Sequence, residues 1–350
     1  MPESATPPPL MGPPTAIVED GRYRFGSYNG PIPVVNQVDA GGGGRLRRTL
    51  RGFGIKEWEA FQLGDDDWFV LGAVYTAKTM GLLQTLVVNK HDATIRRYET
   101  KVPGWVPKVA RGLSGTRSHG HRGGFSVTIG NEFADGRVTI DATHPGDDRL
   151  EPMELHGVGR CGPADAGHLA IVHPFASGRA LYSHKTMMPF AGGLRLGGDD
   201  VGFVENRGFL IIDDHHGEYP RPMRYDWLTG IRRDPLGRVE GFNLTDNQVQ
   251  DPDEFNENAL WIGNEIHRLP AISVERPDGP HGRWRARDRS GAVDVTFTPT
   301  VRSAMHVGPN KRIAEYYAPY GWFEGTIEAP GARLDLDGFF GMGELKNIRL

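Results

Sequence analysis

Short apolar runs broken by glycine recur along the whole of this chain, and that rhythm restricts its architecture more than any other feature. Glycine supplies 48 of 350 residues, against a usual share of about 7%. The glycines follow no fixed period, which excludes a collagen-like helix. They punctuate apolar runs at 68–77, 81–89, 95–100, 125–129, 137–142, 151–155, 169–175 and 180–183. The second half continues at 209–212, 239–244, 259–262, 265–269, 272–275, 284–287, 292–298, 315–318, 321–328 and 334–340. Runs of this length with turn signals between them predict strands of a barrel or sandwich rather than an α/β fold. Gly263 with Asn264, and Arg289 with Ser290 and Gly291, mark two hairpin turns. The expected fold class is all-β and antiparallel, with a few short helices. Each half holds about eight runs, enough to close a barrel around one small ligand. Met188, Pro189, Gly192 and Gly193 interrupt the pattern, so a division is expected near residue 190. That gives a proline-rich disordered tail over residues 1–18, then barrels over 19–190 and 191–350.

The segment 209–261 poses the functional question. An apolar run, 209–212, leads into Asp213, Asp214, His215 and His216. Trp227, then Asn243, Asp246, Asn256, Glu257 and Asn258, follow closely. Each polar group buried without a partner would cost about 1–3 kcal/mol. The segment is therefore either a long solvated loop or a polar site inside the fold. Residue type alone leaves both open, because Asp and Asn are ordinary turn residues. If Asp213 and Asp214 end a strand, one faces inward and the other outward, and the two histidines also part. A carboxylic acid at the mouth of an apolar cavity has its pKa raised by desolvation and becomes a proton donor near neutrality. His215 or His216 could orient it or shuttle its proton. Asn243 is out of phase with Phe242 and Leu244. If those two pack outward between layers, Asn243 points into a lumen.

Other chemistries find less support. The net charge is −4 with both signs dispersed, which offers no basic face to nucleic acid. The one basic run, 45–51 (RLRRTLR), reads as a solvated helix face, with Trp58 and Phe61 sharing a face of a short helix within 45–61. Residues 111–124 read as a Gly/His/Arg-rich loop. His119 and His121 in it have metal-like spacing, but two ligands without a third do not make a site, and no metal is expected. There is no GxSxG nucleophile motif and no glycine-rich loop opening a helix after a strand. Trp68, Trp284 and Trp322 read as core aromatics. Cys161 is the sole cysteine, so a reduced compartment is expected and no intrachain disulfide can form. No secretory signal pattern is present. No apolar run approaches the roughly 20 residues that span a bilayer, and the expected location is cytoplasmic.

Several short motifs in fixed order give the chain a family likeness. They are residues 182–185 (YSHK), 213–217 (DDHHG), 224–227 (RYDW), 241–244 (GFNL), 256–261 (NENALW), 294–299 (DVTFTP), 320–325 (YGWFEG) and 341–344 (GMGE). On these the chain resembles the DUF2804 family. It departs from the usual pattern of that family at His215, His216, Arg224 and Tyr225. More distantly, residues 214–217 with Tyr225, Asp226 and Trp227 look like the D-H-x-x-G and W-D-W signature of AttH-like, carotenoid-hydratase-like proteins. The resemblance implies two lipocalin-like barrels in tandem and an apolar pocket lined by the Asp–His segment. It also implies apolar, isoprenoid or polyketide-like substrates handled with no metal or redox cofactor. On that reading Asp214 is the general acid and His215 or His216 tunes it, with Glu257 and Glu344 as further acid candidates. Tyr225, Trp227 and Trp261 would shield a developing cation. Asn243, Asp246 and Asn258 would hold substrate oxygen or a water, and Arg224 completes the expected ligand-binding set. The reaction would be hydration, dehydration, isomerisation or cyclisation of an apolar small molecule. A non-catalytic carrier of such a molecule is the second reading. A carbohydrate-active protein with paired carboxylates is the third.

Overall fold

The computed structural model describes residues 7–307 and 314–349. The apolar runs of the first half become antiparallel neighbours in chain order: Lys56–Gly64, Trp68–Thr76, Met80–Asn89 and Thr94–Pro103. They belong to a sheet of 13 strands. Beyond Lys56–Gly64 its main path continues through Phe209–Gly217, Ala180–Leu196, Met153–Arg160, Arg137–His144, Phe125–Glu132 and Ser114–Arg122. The sheet curls around an apolar core that includes Phe61, Val74, Tyr98, Ile129, Ile140 and Phe190.

A second sheet has 12 strands. Its main path is Glu265–Arg268, Ala259–Ile262, Val239–Asn247, Met223–Arg233, Phe339–Ile348, Tyr320–Ala329, Val293–Val301, Trp284–Asp288 and Ile272–Glu275. Leu228, Phe242, Trp284, Phe297 and Phe323 fill its interior. Phe323 stacks on Phe297 at 4.7 Å and meets Phe242 edge-on at 4.9 Å between ring centroids. Both hairpins read from the turn residues are present, with Ile262 paired to Glu265 and Trp284 to Phe297. The result is two barrels in tandem, all-β apart from one α-helix among the described residues, Arg45–Gly54.

Strand alternation creates a third apolar layer between the barrels. Successive side chains point to opposite faces. Leu210 and Ile212 therefore enter the first core, while Phe209 and Ile211 face the second barrel. Phe69, Leu71, Ile171 and Met187 join them there, against Tyr225, Trp261, Tyr320 and Phe340. The indole of Trp261 donates to the Gly167 carbonyl at 3.1 Å and so ties the two sheets together.

Four expectations need correction. The division near residue 190 falls inside the unbroken strand Ala180–Leu196. That strand pairs with Phe209–Gly217 as far as Pro189, and with Met153–Arg160 from Phe190 onward. Proline cannot donate to a ladder, so the exchange of partners occurs there without ending the strand. Sheet membership changes instead between Gly217 and Met223. In the tail, residues 1–6 lie outside the described residues, but Met11 bridges to Tyr28 and Ala16 to Val34. Ile17 and Val18 are buried in a cluster with Tyr28, Ile32 and Tyr182. The helix stops at Gly54, and Trp58 and Phe61 lie on the following strand, facing opposite ways. Residues Ser114–Arg122 form a strand rather than a loop, with Ser118 and Gly120 inward and His119 and His121 exposed.

Gly72 shows how tightly the first core is packed. It stands opposite Phe61, whose ring lies where a Cβ on Gly72 would sit, at 2.1 Å. Gly72→Val should overpack this point and lower the unfolding free energy by about 1–3 kcal/mol, read from urea denaturation. An unchanged midpoint would contradict the packing described.

Candidate functional site

The strand Phe209–Gly217 is buried along its whole length. The two aspartates therefore do not end a strand, because the ladder continues through both histidines to Gly217. Alternation sends Asp213 and His215 toward the second barrel and Asp214 and His216 into the first. The flanking strands match this division. Lys185, Ser183, Ala60 and Trp58 stand opposite the first pair, and His184, Tyr182, Glu59 and Glu57 opposite the second.

Between the barrels, Lys185 is the centre of a buried ionic cluster. Its ammonium lies 2.8 Å from Asp213 Oδ1 and 2.7 Å from Glu257 Oε2. It also reaches Ser183 Oγ and His215 Nε2, both at 2.8 Å. His215 Nε2 is 3.0 Å from Asp213 Oδ1, and its Nδ1 is 3.3 Å from the Tyr219 hydroxyl. Tyr225 donates its hydroxyl to Glu257 Oε1 in a short hydrogen bond. Aromatic rings wall the cluster. Trp58 stacks on His215 at 4.5 Å and gives its indole N–H to Asp213 Oδ2 at 3.3 Å. Trp227 lies 5.7 Å from the Lys185 ammonium and donates to Asn243 Oδ1 at 2.6 Å. Trp58 is only partly buried, as are Tyr75, Tyr316 and Lys346, so the cluster approaches the surface at this rim. Lys346 sits over the Trp58 ring at 4.6 Å and binds Glu344 Oε2 at 2.8 Å.

Charge pairing overrides desolvation here. Burial alone would depress the Lys185 pKa, but Asp213 and Glu257 outweigh it and leave it raised. Burial would raise both carboxyls, yet Lys185 and His215 hold Asp213 and Glu257 below the usual carboxylate range. The cluster is thus one ammonium against two carboxylates, with an imidazole between them.

Inside the first barrel the balance reverses. Asp214 Oδ1 binds His216 Nε2 at 3.1 Å, and His216 Nδ1 is 3.6 Å from Glu57. Burial opposes the imidazolium, but these two carboxylates raise its pKa from 6.5 to about 9. Glu57 resists burial through His216 and Lys78 and is lowered to about 2. Glu59 is raised well above the carboxylate range, first by burial and then by the charge of Asp214 opposite it. It accepts a short hydrogen bond from Ser118 and one from Asn131 Nδ2 at 3.0 Å. Glu59 Oε1 and Asp214 Oδ2 have no hydrogen-bond partner among the described residues. Two facing carboxyls so placed cannot both ionise at low cost, and Glu59 is the one that keeps a proton.

The residues expected from sequence are therefore distributed over two sites. His215, Glu257, Tyr225, Trp227 and Asn243 gather between the barrels, and Asp214 and His216 lie behind them. Asn243 does face away from Phe242 and Leu244, but that apolar pair fills the second core, so Asn243 faces the interface rather than a lumen. Asn258 is spent on structure: its side chain accepts from the Thr245 amide at 2.6 Å and donates to the Pro270 carbonyl. Trp261 packs in the layer between the barrels. Asp246 opposes Asp226 on the other face of its strand and lines a cavity of about 200 Å3. Arg224 is exposed. Sequence reasoning gave no site role to Lys185, Glu59 and Trp58, and chose Asp214 over Asp213. Lys185 stands among Ser183, His184 and Thr186, and nothing local in the sequence names its partners.

A cavity of about 860 Å3 opens away from these clusters, with Phe133, Cys161, His168, Ile266 and Arg268 among its lining residues. Among the described residues no group of three or more His, Cys, Asp or Glu side chains is placed to hold a metal ion. No helix among the described residues is long and apolar enough to cross a membrane.

The chain belongs to the DUF2804 family, described as a domain of unknown function, whose model matches residues 14–350. Among solved structures it is similar to the crystal structure of CghA, at 12% identity and a TM-score of 0.51, over 85% of this chain and 88% of that one. It is also similar to kievitone hydratase from Nectria haematococca, at 13% identity and a TM-score of 0.52, over 84% and 88%. No curated protein matches the sequence. At these identities the likeness is one of fold, the tandem lipocalin-like barrel.

Two outcomes follow from the ionic pairing. Lys185→Met leaves Asp213 and Glu257 buried without a counter-charge, and should cost about 3–5 kcal/mol of stability. Adding Asp213→Asn and Glu257→Gln should recover much of it in chemical denaturation. The second outcome concerns alkaline pH. A raised histidine pKa gives stability that is complete below pH 6.5 and lost as pH rises through about 9. The raised Glu59 acts in the same direction, since the unfolded chain releases its proton first. The melting temperature should therefore fall between pH 6.5 and 9. Glu59→Gln should make that fall shallower, and an equally steep fall in the variant would contradict the assignment.

Proposed function

We propose that this protein is an acid–base enzyme of the hydratase or dehydratase type, acting on an apolar small molecule at the interface of its two barrels. The observation that carries the reading is the buried Lys185–Asp213–His215–Glu257–Tyr225 cluster walled by Trp58, Tyr219 and Trp227. Such a cluster contains what proton-driven addition or loss of water requires. His215, set between Asp213 and Tyr219, relays the proton. Lys185 keeps Asp213 and Glu257 ionised, so each can accept a hydrogen bond from the attacking water. The excess of carboxylate over ammonium and the faces of the aromatic rings favour a developing cation. General acid–base help of this kind is worth roughly 10²–10⁴-fold. Asp214, His216 and Glu59 then act from behind the strand as positioning residues.

The similarity to kievitone hydratase supports the reading through the shared architecture. A carrier reading has one observation in its favour: the cavity of about 860 Å3 is lined away from the charged cluster.

The test is turnover of a panel of apolar alkenes and tertiary alcohols, followed by mass spectrometry for gain or loss of one water. His215→Gln should lower kcat by about 10²–10⁴-fold while leaving the melting transition cooperative. Undiminished turnover in that variant would rule out His215 as proton carrier. Ligands bound and recovered unchanged across the panel would favour the carrier.

A further inference from the structure

The helix Arg45–Gly54 has no buried residue. Leu46, Leu50 and Phe53 nevertheless form one apolar stripe at i, i+4 and i+7, exposed by 73%, 65% and 63%. A helix of a globular domain ordinarily turns such a stripe to the core. This one is fixed the opposite way round. Arg51 donates to the Ala40 carbonyl and to Glu218, both at 2.7 Å, and Arg48 pairs with Asp39 at 3.2 Å. These two arginines lie on the side of the helix opposite the stripe, so they anchor it to the barrel with its apolar side facing out. Arg45 and Arg47 flank the stripe and are exposed. The helix contains four arginines and no acidic residue, in a chain whose net charge is −4.

We infer that this helix is a docking surface for an anionic lipid bilayer. The chemistry selects that partner. Leucine and phenylalanine side chains that project together enter the acyl boundary, and long arginine side chains beside them place their guanidinium groups at the phosphate level. A layer of phosphates complements Arg45 and Arg47 without needing a shaped groove, and Arg48 and Arg51 hold the other side of the helix to the barrel. The surface is independent of the proposed chemistry, and its test uses no substrate.

The experiment is co-sedimentation of the full chain with vesicles of phosphatidylcholine alone and of phosphatidylcholine mixed with phosphatidylglycerol. The wild-type chain should bind the mixed vesicles, and less so as salt is raised. Leu46→Ser with Leu50→Ser and Phe53→Ser should weaken binding by about tenfold or more, as should Arg45→Glu with Arg47→Glu. All five side chains are exposed, so melting curves should match the wild type and exclude misfolding as the cause. Equal binding to neutral and anionic vesicles, or variants that bind like the wild type, would overturn the proposal. A dimer in light scattering that the triple serine variant abolishes, without vesicle binding, would also overturn it and assign the stripe to a second copy.

Discussion

Four consecutive ionisable residues on one buried strand are tolerable only because the strand delivers them alternately to two sides. Asp213 and His215 meet Lys185 and Glu257 between the barrels, while Asp214 and His216 meet Glu57 and Glu59 inside the first barrel. A slip of one residue would exchange these environments and leave every charge facing the wrong partner. The apolar residues before them pin the register. Leu210 and Ile212 belong to the first core, and Phe209 and Ile211 to the layer between the barrels. Packing at one end of the strand thus fixes electrostatics at the other.

The same strand explains why the two barrels act as a unit. It belongs to the first sheet, yet its His215 comes within 3.9 Å of Glu257, the carboxylate that Lys185 and Tyr225 also hold. Replacing a well-packed apolar contact with a buried ion pair rarely adds stability. Charged groups kept at the centre of an apolar interface are what motivates the proposal of a reaction there. The carboxyl pair on the other face differs in kind. It is enclosed by the first barrel, with Ser118 and Asn131 holding Glu59.

Much of the fold was legible in the sequence, because strand periodicity and glycine turns are local signals. The hairpins at Gly263 and at Ser290 follow directly from turn chemistry. The strand Ser114–Arg122 was hidden, since its exposed histidines and arginines mask the alternation of the inward Ser118 and Gly120. The division near residue 190 was misplaced because Pro189 marks an exchange of partners within a strand, which looks like a break from sequence alone. In the site, the segment 209–261 was recognisable as overloaded with polar groups, and the opposite orientation of the two histidines followed from strand geometry. Lys185 and Glu59 were not found, because their meaning lies in cross-strand register. Lys185 is 28 residues before Asp213 and Glu59 is far upstream of Asp214, and neither pairing leaves a local pattern.

The central claim is that adjacent residues of one strand serve two separate electrostatic sites. Nitrogen-resolved NMR of the imidazoles of His215 and His216 across a pH titration tests it most directly. The account predicts that Asp214→Asn lowers the His216 pKa and leaves the His215 ring signals in place, whereas Asp213→Asn moves the His215 signals and spares His216. Both histidines responding alike to Asp214→Asn would contradict it.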